Sequence, residues 1–221
     1  MEFLDLFFPK RCAGCGKAGS YFCKTCLVKA KPHFPQVCPV CEKASIDGFT
    51  HPRCKTKYAP DRLLALWVYE TGVKKLIYKL KYRFVSDAAS EIADKVGEFV
   101  KENKFKKSVI VPIPLHKKRQ NWRGFNHTKE VGDRVGKLLG WDCIEILERF
   151  KETPTQVGLK EKQRVENIKG AFRIKKGIVT SKNTPILLFD DVWTSGSTLK
   201  EATNVLKHAG YKEVVCLTIA R

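Results

Sequence analysis

The sequence predicts an α/β protein in which a small cysteine-rich module precedes a parallel β-sheet flanked by helices. Seven of the nine cysteines lie between Cys12 and Cys54, most of them in pairs separated by two residues. From Leu63 onward, apolar runs of strand length alternate with segments of helical periodicity. Such alternation indicates βαβ units and a parallel sheet covered on both faces. We therefore divide the chain into a module over residues 1–60 and a larger domain over residues 61–221.

The length and composition of the chain fit this division. Its 221 residues, 43% of them hydrophobic, are enough for one full domain with a small module, and they exclude wholesale disorder. No apolar run approaches the roughly 20 residues that cross a bilayer, so no membrane insertion is expected. The opening EFLDLFF is short, is interrupted by Asp5 and lacks a basic start or a cleavage site, so we do not expect a signal peptide. Nine cysteines without an export signal predict a reducing, cytoplasmic location.

The charge balance narrows the class of partner. The chain has 42 Lys and Arg residues against 23 Asp and Glu residues, a formal net charge of +19. A protein this basic attracts polyanions, which means nucleic acid or phosphate-rich small molecules. Charge alone does not choose between them.

Four two-ligand knuckles follow one another in the cysteine-rich module. Zinc takes four ligands in a tetrahedron, and a two-residue spacing lets both thiolates face one ion, so eight candidate ligands predict two sites. Sequential pairing is the simplest arrangement, although interleaved pairing stays open. Because the ligands come in complete sets of four, we expect closed structural sites, whose metal supplies folding free energy that so small a module lacks. The candidate ligands are Cys12, Cys15, Cys23, Cys26, Cys38, Cys41, His51 and Cys54.

The elements of the larger domain follow from its periodicity. Short apolar runs predict strands over residues 63–69, 108–114, 143–147, 185–189 and 213–220. Helical patterns cover a basic amphipathic segment at 72–83 and residues 86–102, with Ser86 as a cap. A third helix is predicted from about Asn126 to Gly140. The last predicted helix carries Leu199 to Ala209 and ends at Gly210. Cys143 and Cys216 fall inside strand patterns and are expected to be small buried hydrophobes.

The strand at 185–189 leads into the most informative segment of the chain. Its apolar run ends in Asp190 and Asp191, and a Thr/Ser/Gly turn over 194–198 then opens a helix. Successive backbone N–H groups and hydroxyls at a helix N-terminus bind phosphate, and Gly196 permits close approach of the backbone. The two carboxylates can accept hydrogen bonds from a ribose diol. The nucleoside-triphosphatase pattern GxxxxGK[ST] is missing from the sequence.

This stretch resembles the phosphoribosyl-pyrophosphate (PRPP) motif of type I phosphoribosyltransferases. Two further segments, 111–127 and 152–172, are similar to signatures of the ComF/GntX family of competence-associated phosphoribosyltransferase-like proteins, in which a double zinc ribbon precedes the transferase-like domain. The motifs PxPLH, RGFN, TxxQxGL, RxxN and DDVxTSGST occur in the family's order over nearly the whole chain. One position departs from the pattern, because His51 stands where the family often has Cys; zinc chemistry stays possible there.

The resemblance implies a type I phosphoribosyltransferase-like fold, Mg²⁺-dependent PRPP binding with phosphoribosyl transfer to an unidentified acceptor, and a role in DNA uptake during natural transformation. It assigns the ribose hydroxyls to Asp190 and Asp191 as the catalytic pair. It assigns the 5′-phosphate to Thr194, Ser195, Gly196, Ser197 and Thr198. The residues implied near pyrophosphate, or in a mobile segment over the site, are Lys79, Lys81, Arg83, Arg123, Gly124 and Asn126.

A non-catalytic adaptor is the alternative, in which the zinc module and a basic loop contact single-stranded DNA or a competence helicase. Cations interleaved with an aromatic residue suit a single strand, although the same charges would also serve pyrophosphate in a mobile active-site loop. The candidate DNA contacts are Lys117, Lys118, Arg119 and Trp122. His116 and His127 flank this loop and could each act as a general base, but a histidine in a basic loop is more often a solvated side chain or a backbone partner. Arg164 and Asn167 share one face of a predicted helix, which the resemblance implies supports the site.

Overall fold

The computed structural model describes residues 9–82, 86–152 and 161–221, and within them the predicted α/β fold is confirmed. The strands are β1 (Arg62–Trp67), β2 (Val109–Pro112), β3 (Leu147–Arg149), β4 (Phe172–Ile174), β5 (Ile186–Val192) and β6 (Val214–Ala220). The helices are α1 (Lys24–Lys29), α2 (Thr71–Tyr82), α3 (Ser86–Glu102), α4 (Lys117–Arg123), α5 (His127–Leu139), α6 (Glu161–Ile168) and α7 (Ser197–His208). Strands β1, β6, β5 and β2 form, in that order, a four-stranded sheet in which every pair is parallel.

Both faces of this sheet are covered, as its almost wholly apolar strands require. Alternate residues of β5 point to opposite faces, so Leu187 and Phe189 join one buried cluster while Ile186 and Leu188 join the other. Helices α2, α3 and α5 cover the first face. Helix α7, β4 and the segment around Ile146 cover the second.

The predicted helices that carry clear end signals are confirmed. The Asn126 side chain caps α5 by accepting a hydrogen bond from Thr128 N at 3.2 Å, and Gly140 ends the helix in the left-handed region at φ 67°. Helix α7 begins after Gly196 and ends at His208. Asn126 and Gly196 place the first turns of these helices at the carboxyl edge of the sheet, next to Ile113 and Asp191.

Two expectations from the sequence are wrong. Residues 143–147 do not form a fifth strand of the sheet: Cys143 makes one isolated bridge to Ile110, and the chain then turns so that β3 pairs antiparallel with β4. Ile146 and Leu147 are buried in the same cluster as Leu199 of α7. Cys143 is only half-buried, whereas Cys216 is fully buried as predicted. The basic stretch 117–123, expected as a loop, is helix α4.

The cysteine-rich module packs against the larger domain. It covers the edge strand β1, where His33 N donates to Leu66 O and Val68 N donates to Lys31 O, each at 2.9 Å. Such coverage satisfies strand edges that would otherwise stay unpaired. The division into units at residue 60 stays a prediction. Among the described residues, no helix is long and apolar enough to span a membrane.

Candidate functional site

The eight predicted metal ligands gather into two clusters. In each cluster the ligand atoms all lie within 4.8 Å of one another, and the sequential pairing is confirmed over the interleaved one. The first cluster is Cys12, Cys15, Cys23 and Cys26, and the second is Cys38, Cys41, His51 and Cys54. These complete sets of thiolate and imidazole donors fit two structural zinc ions.

His51 fits its place as the single nitrogen ligand. Its Nδ1 lies 3.3 Å from Cys41 Sγ, and its Nε2 lies 3.1 Å from the carbonyl oxygen of Ala44. A carbonyl oxygen can only accept, so the ring proton belongs on Nε2 and Nδ1 keeps a lone pair for metal. The second cluster can therefore bind zinc with His51 in the position where the family often has Cys.

The acidic pair lies at the carboxyl end of β5, a central strand of the sheet. Asp191 is buried, and its Oδ2 is 2.6 Å from both Lys81 Nζ of α2 and His127 Nε2 of α5. Asp190 is half-buried, and its Oδ1 accepts a hydrogen bond from the backbone N of Asp191 at 2.8 Å. Three elements thus meet at one carboxylate.

The two carboxylates have pKa values pushed in opposite directions. Burial alone would raise the pKa of Asp191, but the charge of Lys81 and the hydrogen bond from His127 hold it well below its usual range. Burial and the adjacent Asp191 charge raise the pKa of Asp190 to about 7. At neutral pH the pair therefore combines a fixed anion with a group that readily gains or loses a proton.

The turn over 194–198 forms one wall of a cavity of about 340 Å³ beside the acids. Gly196, at φ 68°, has no room for a side chain because an added Cβ would lie 2.1 Å from the Trp193 ring. Packing against Trp193 thus fixes the turn beside the cavity at the N-terminus of α7, a position that suits a phosphate group. The cavity is also lined by Tyr69, Lys81, Arg164, Asp190, Asp191, Thr194, Ser197 and Thr198.

A second cavity of about 330 Å³ lies against the same acids and is rich in cations. It is lined by the cations Lys81, Arg119, Arg123 and Arg149, together with His127 and the two acids. Burial and the nearby Arg119 charge lower the pKa of Arg149 to about 10, so it stays protonated at neutral pH. This concentration of positive charge suits a polyanion such as pyrophosphate. A larger groove of about 550 Å³ along α3 lies away from the acids.

The structure brings together some of the residues implied near pyrophosphate and not others. Lys81 and Arg123 line the cationic cavity. Lys79 points away, because its Nζ donates to Arg11 O at 2.5 Å. Gly124 ends α4 at φ 79°, and Asn126 is buried as the cap of α5 with its Nδ2 donating to Ile113 O. Arg83 lies outside the described residues.

Sequence reasoning missed Arg149 as a member of the site, and for His127 it left open a general base or, more often, a solvated side chain or backbone partner. In the structure His127 is only 3% exposed and is bonded to Asp191. Its position four residues before Val131 and eight before Val135 puts it on the buried stripe of α5, a signal that was available in the sequence. Arg149 lies just beyond the apolar run 143–147, and its two-residue spacing from Leu147 puts it on the inner face of β3.

Three aromatic rings form a row beside the cationic cavity. The Tyr78 and Tyr82 ring centroids are 4.8 Å apart, and those of Tyr82 and Trp122 are 6.1 Å apart. Trp122 on α4 is 74% exposed, and the Arg123 guanidinium lies 4.7 Å from the Tyr82 ring centroid. Of the other predicted DNA contacts, Lys117 and Lys118 are exposed and Arg119 is half-buried.

The sequence of this chain is similar to those of several known proteins. Residues 3–58 match the double zinc ribbon domain family. Competence protein F of Haemophilus influenzae is 36% identical over 117 residues, 51% of this chain and 49% of that protein, so the matched part is about half of either. DNA utilization protein YhgH of Salmonella typhimurium is 27% identical over 208 residues, 90% of this chain and 89% of that protein. Competence protein ComFC of Streptococcus pneumoniae is 27% identical over 161 residues, 71% and 67% of the two chains. The resemblance to the ComF/GntX proteins is confirmed by these homologues.

Proposed function

Because the chain is a homologue of competence and DNA utilization proteins, we propose that it binds PRPP at the carboxyl edge of its sheet and serves in DNA uptake. The observation that carries the proposal is the meeting of three features at that edge. They are the acidic pair Asp190 and Asp191, the turn over 194–198, which we call the phosphate-type turn, and the cationic cavity. The role in DNA uptake comes from the names of the relatives.

The chemistry of PRPP divides over the two cavities. The 5′-phosphate would lie on the backbone N–H groups and hydroxyls of residues 194–198, and the ribose hydroxyls would donate to Asp190 and Asp191. Pyrophosphate would lie among Lys81, Arg123 and Arg149 in the cationic cavity. Mg²⁺ dehydrates reluctantly and would be held largely by the ligand's own phosphate oxygens.

The reaction proposed for this site is phosphoribosyl transfer or its reverse. The bond between C1 of the ribose and the pyrophosphate oxygen breaks, its electron pair leaves with pyrophosphate, and the acceptor's lone pair forms the new bond to C1. The cations stabilise the charge on the leaving group, and the nearby carboxylates stabilise the positive charge that develops on the ribose ring. The acceptor is not assigned.

Calorimetric titration of PRPP with Mg²⁺ into the zinc-loaded protein tests this function. We expect a dissociation constant on the order of micromolar, equivalent to about 8 kcal/mol. The double variant D190N/D191N should lose this binding, whereas the control D133N, which removes a half-exposed carboxylate paired with Lys129 on α5, should keep it. A folded, zinc-loaded protein that does not bind PRPP would overturn the proposal.

A second candidate function, binding of single-stranded DNA in an adaptor role, is favoured by the row formed by Tyr78, Tyr82 and Trp122. Bases stack on such rings while neighbouring cations contact the phosphates. Lys117 and Lys118 lie on the same helix as Trp122, although Lys118 Nζ also pairs with Glu152 at 2.5 Å. A competence helicase stays a predicted partner without assigned residues.

Fluorescence anisotropy with a labelled oligothymidine tests the second function. Substitution W122A should weaken binding about tenfold, and K117Q should weaken it while making the salt dependence shallower. The control F34A removes an exposed ring on the zinc module and should leave affinity unchanged. Equal losses for W122A and F34A would exclude the aromatic row as the binding surface.

A further inference from the structure

His127 joins two charged residues of the site from a buried position. Its Nε2 lies 2.6 Å from Asp191 Oδ2, and its Nδ1 lies 3.4 Å from Arg123 Nη1. A guanidinium group can only donate, so Nδ1 accepts from Arg123 and the ring proton lies on Nε2, from which it is donated to Asp191. Burial lowers the pKa of His127, which agrees with a neutral ring.

Arg123 connects this histidine to the cationic cavity. It is the last residue of α4, lies over the Tyr82 ring and lines the cavity. Its Nε is buried and has no hydrogen-bond partner among the described residues. A buried N–H without a partner is costly, so this atom indicates a place for an anionic ligand.

We propose that His127 is a positioning residue that orients Asp191 toward the ligand and couples it to Arg123. The proposal rests on the proposed function. Asp191 Oδ2 is held by donors from two helices, Lys81 of α2 and His127 of α5. The ammonium of Lys81 sits on a flexible stem, whereas the His127 ring is fixed in the core, so the histidine sets the rotation of the carboxylate.

This role replaces that of a general base. A general base needs a lone pair within reach of the substrate proton. Here Nε2 carries the proton donated to Asp191, and the lone pair of Nδ1 is occupied by Arg123. Neither ring nitrogen can take a proton from an acceptor while these bonds last. The charged groups that face His127 are Asp191 from β5, Lys81 from α2 and Arg123 from α4.

Two side-chain substitutions separate positioning from packing. H127Q keeps an amide donor for Asp191 and a carbonyl acceptor for Arg123, whereas H127L keeps volume alone. We expect H127L to weaken PRPP binding about tenfold and H127Q to restore affinity to within about threefold of the native value. The matched control H208Q changes an exposed histidine at the end of α7 and should have no effect. Thermal unfolding of each variant monitors the fold.

Side-chain ¹⁵N NMR of the native protein tests the geometry without PRPP. We expect the signals of one histidine with a protonated Nε2 and an unprotonated Nδ1, and we expect this ring not to titrate between pH 6 and 8. These signals should be absent from the spectrum of H127Q. In D191N the Nε2 signal should be shifted. A titrating ring or the opposite tautomer would overturn the proposal even if H127L fails to fold. If PRPP binds the native protein and H127L equally well, positioning is wrong and the proposed function stands. If PRPP does not bind the native protein, the proposed function fails, and with it the role of His127 toward the ligand.

Discussion

At the scale of single residues, Asp190 and Asp191 show how identical side chains in adjacent positions acquire different chemistry. The Asp191 carboxylate contacts two donors, whereas burial and the charge of its neighbour raise the pKa of Asp190. Because the pKa of Asp190 is raised to about 7, ribose hydroxyls that donate to it would bind better once it is ionised. PRPP affinity should therefore rise between pH 6 and 8.

The same shift predicts how stability depends on pH. Between its unfolded pKa of about 4 and its folded pKa of about 7, Asp190 binds more protons in the folded protein, so its contribution to stability falls as pH rises through this window. The free energy of unfolding of D190N minus that of the native protein should therefore increase with pH, by at most about 1.4 kcal/mol per unit, and level off above pH 7.

Urea denaturation at pH 5, 6, 7 and 8 measures this difference. The variant D133N again serves as control, since it removes a half-exposed carboxylate whose ion pair with Lys129 lies away from the acids. A difference between D190N and the native protein that stays flat or decreases with pH would mean that the Asp190 pKa is not raised.

At the scale of elements, the turn before α7 depends on a single glycine. Gly196 and Gly177 both have left-handed φ angles, 68° and 78°, but only at Gly196 would a Cβ meet other atoms, those of the Trp193 ring. We expect G177A to cost about 1 kcal/mol of stability through backbone strain alone. The variant G196A should cost at least about 2 kcal/mol more and should abolish PRPP binding, because the buried ring or the turn must move.

Equilibrium denaturation of both variants, followed by PRPP titration under conditions in which each is folded, checks this prediction. Equal stability losses for G196A and G177A would mean that the contact with Trp193 does not fix the turn. Retained PRPP affinity in G196A would instead remove the turn from the binding site.

Elements marked by several independent sequence signals, such as a cap, an apolar stripe and a terminal glycine, could be predicted from the sequence. Elements that lack such signals could not. Helix α5 has a cap at Asn126, an apolar stripe and a terminal glycine, and β5 ends in a recognisable motif. Helix α4 has no apolar stripe and is capped by His116, which is not among the usual N-cap residues, so only its C-terminal Gly124 carried a signal. The zinc ligands followed from spacing, whereas contacts such as that of His127 with Asp191 join elements 64 residues apart and become visible only in the fold.

At the scale of the whole molecule, the second zinc cluster is connected to the phosphate-type turn. Glu42 follows the ligand Cys41, and its carboxylate contacts Lys200 Nζ at 3.3 Å and Arg221 Nη2 at 2.8 Å. Lys200 Nζ also lies 3.3 Å from Ser195 O, within the turn. One lysine of α7 therefore contacts both the cysteine-rich module and the backbone of the turn.

This connection predicts that zinc and ligand stabilise each other. If PRPP orders the turn, it also orders the contacts of Lys200, and it should then slow the release of zinc to a chromogenic chelator. Because such coupling is reciprocal, removal of zinc should in turn weaken PRPP binding. We expect PRPP to raise the equilibrium affinity of the second cluster for zinc about fivefold, a coupling of about 1 kcal/mol, and to slow zinc release accordingly. In E42Q, which keeps the shape of the side chain and removes its charge, this protection should be lost.

A control at the first zinc cluster distinguishes a specific connection from general stabilisation. The Glu91 carboxylate accepts hydrogen bonds from the backbone N atoms of Tyr21 and Phe22 at 2.9 and 2.8 Å, and so ties the first cluster to α3, away from the acids. The variant E91Q should speed zinc release from the first cluster and leave the protection of the second by PRPP intact. If PRPP protects E42Q as well as it protects the native protein, the effect is global stabilisation of the fold and Glu42 does not transmit it.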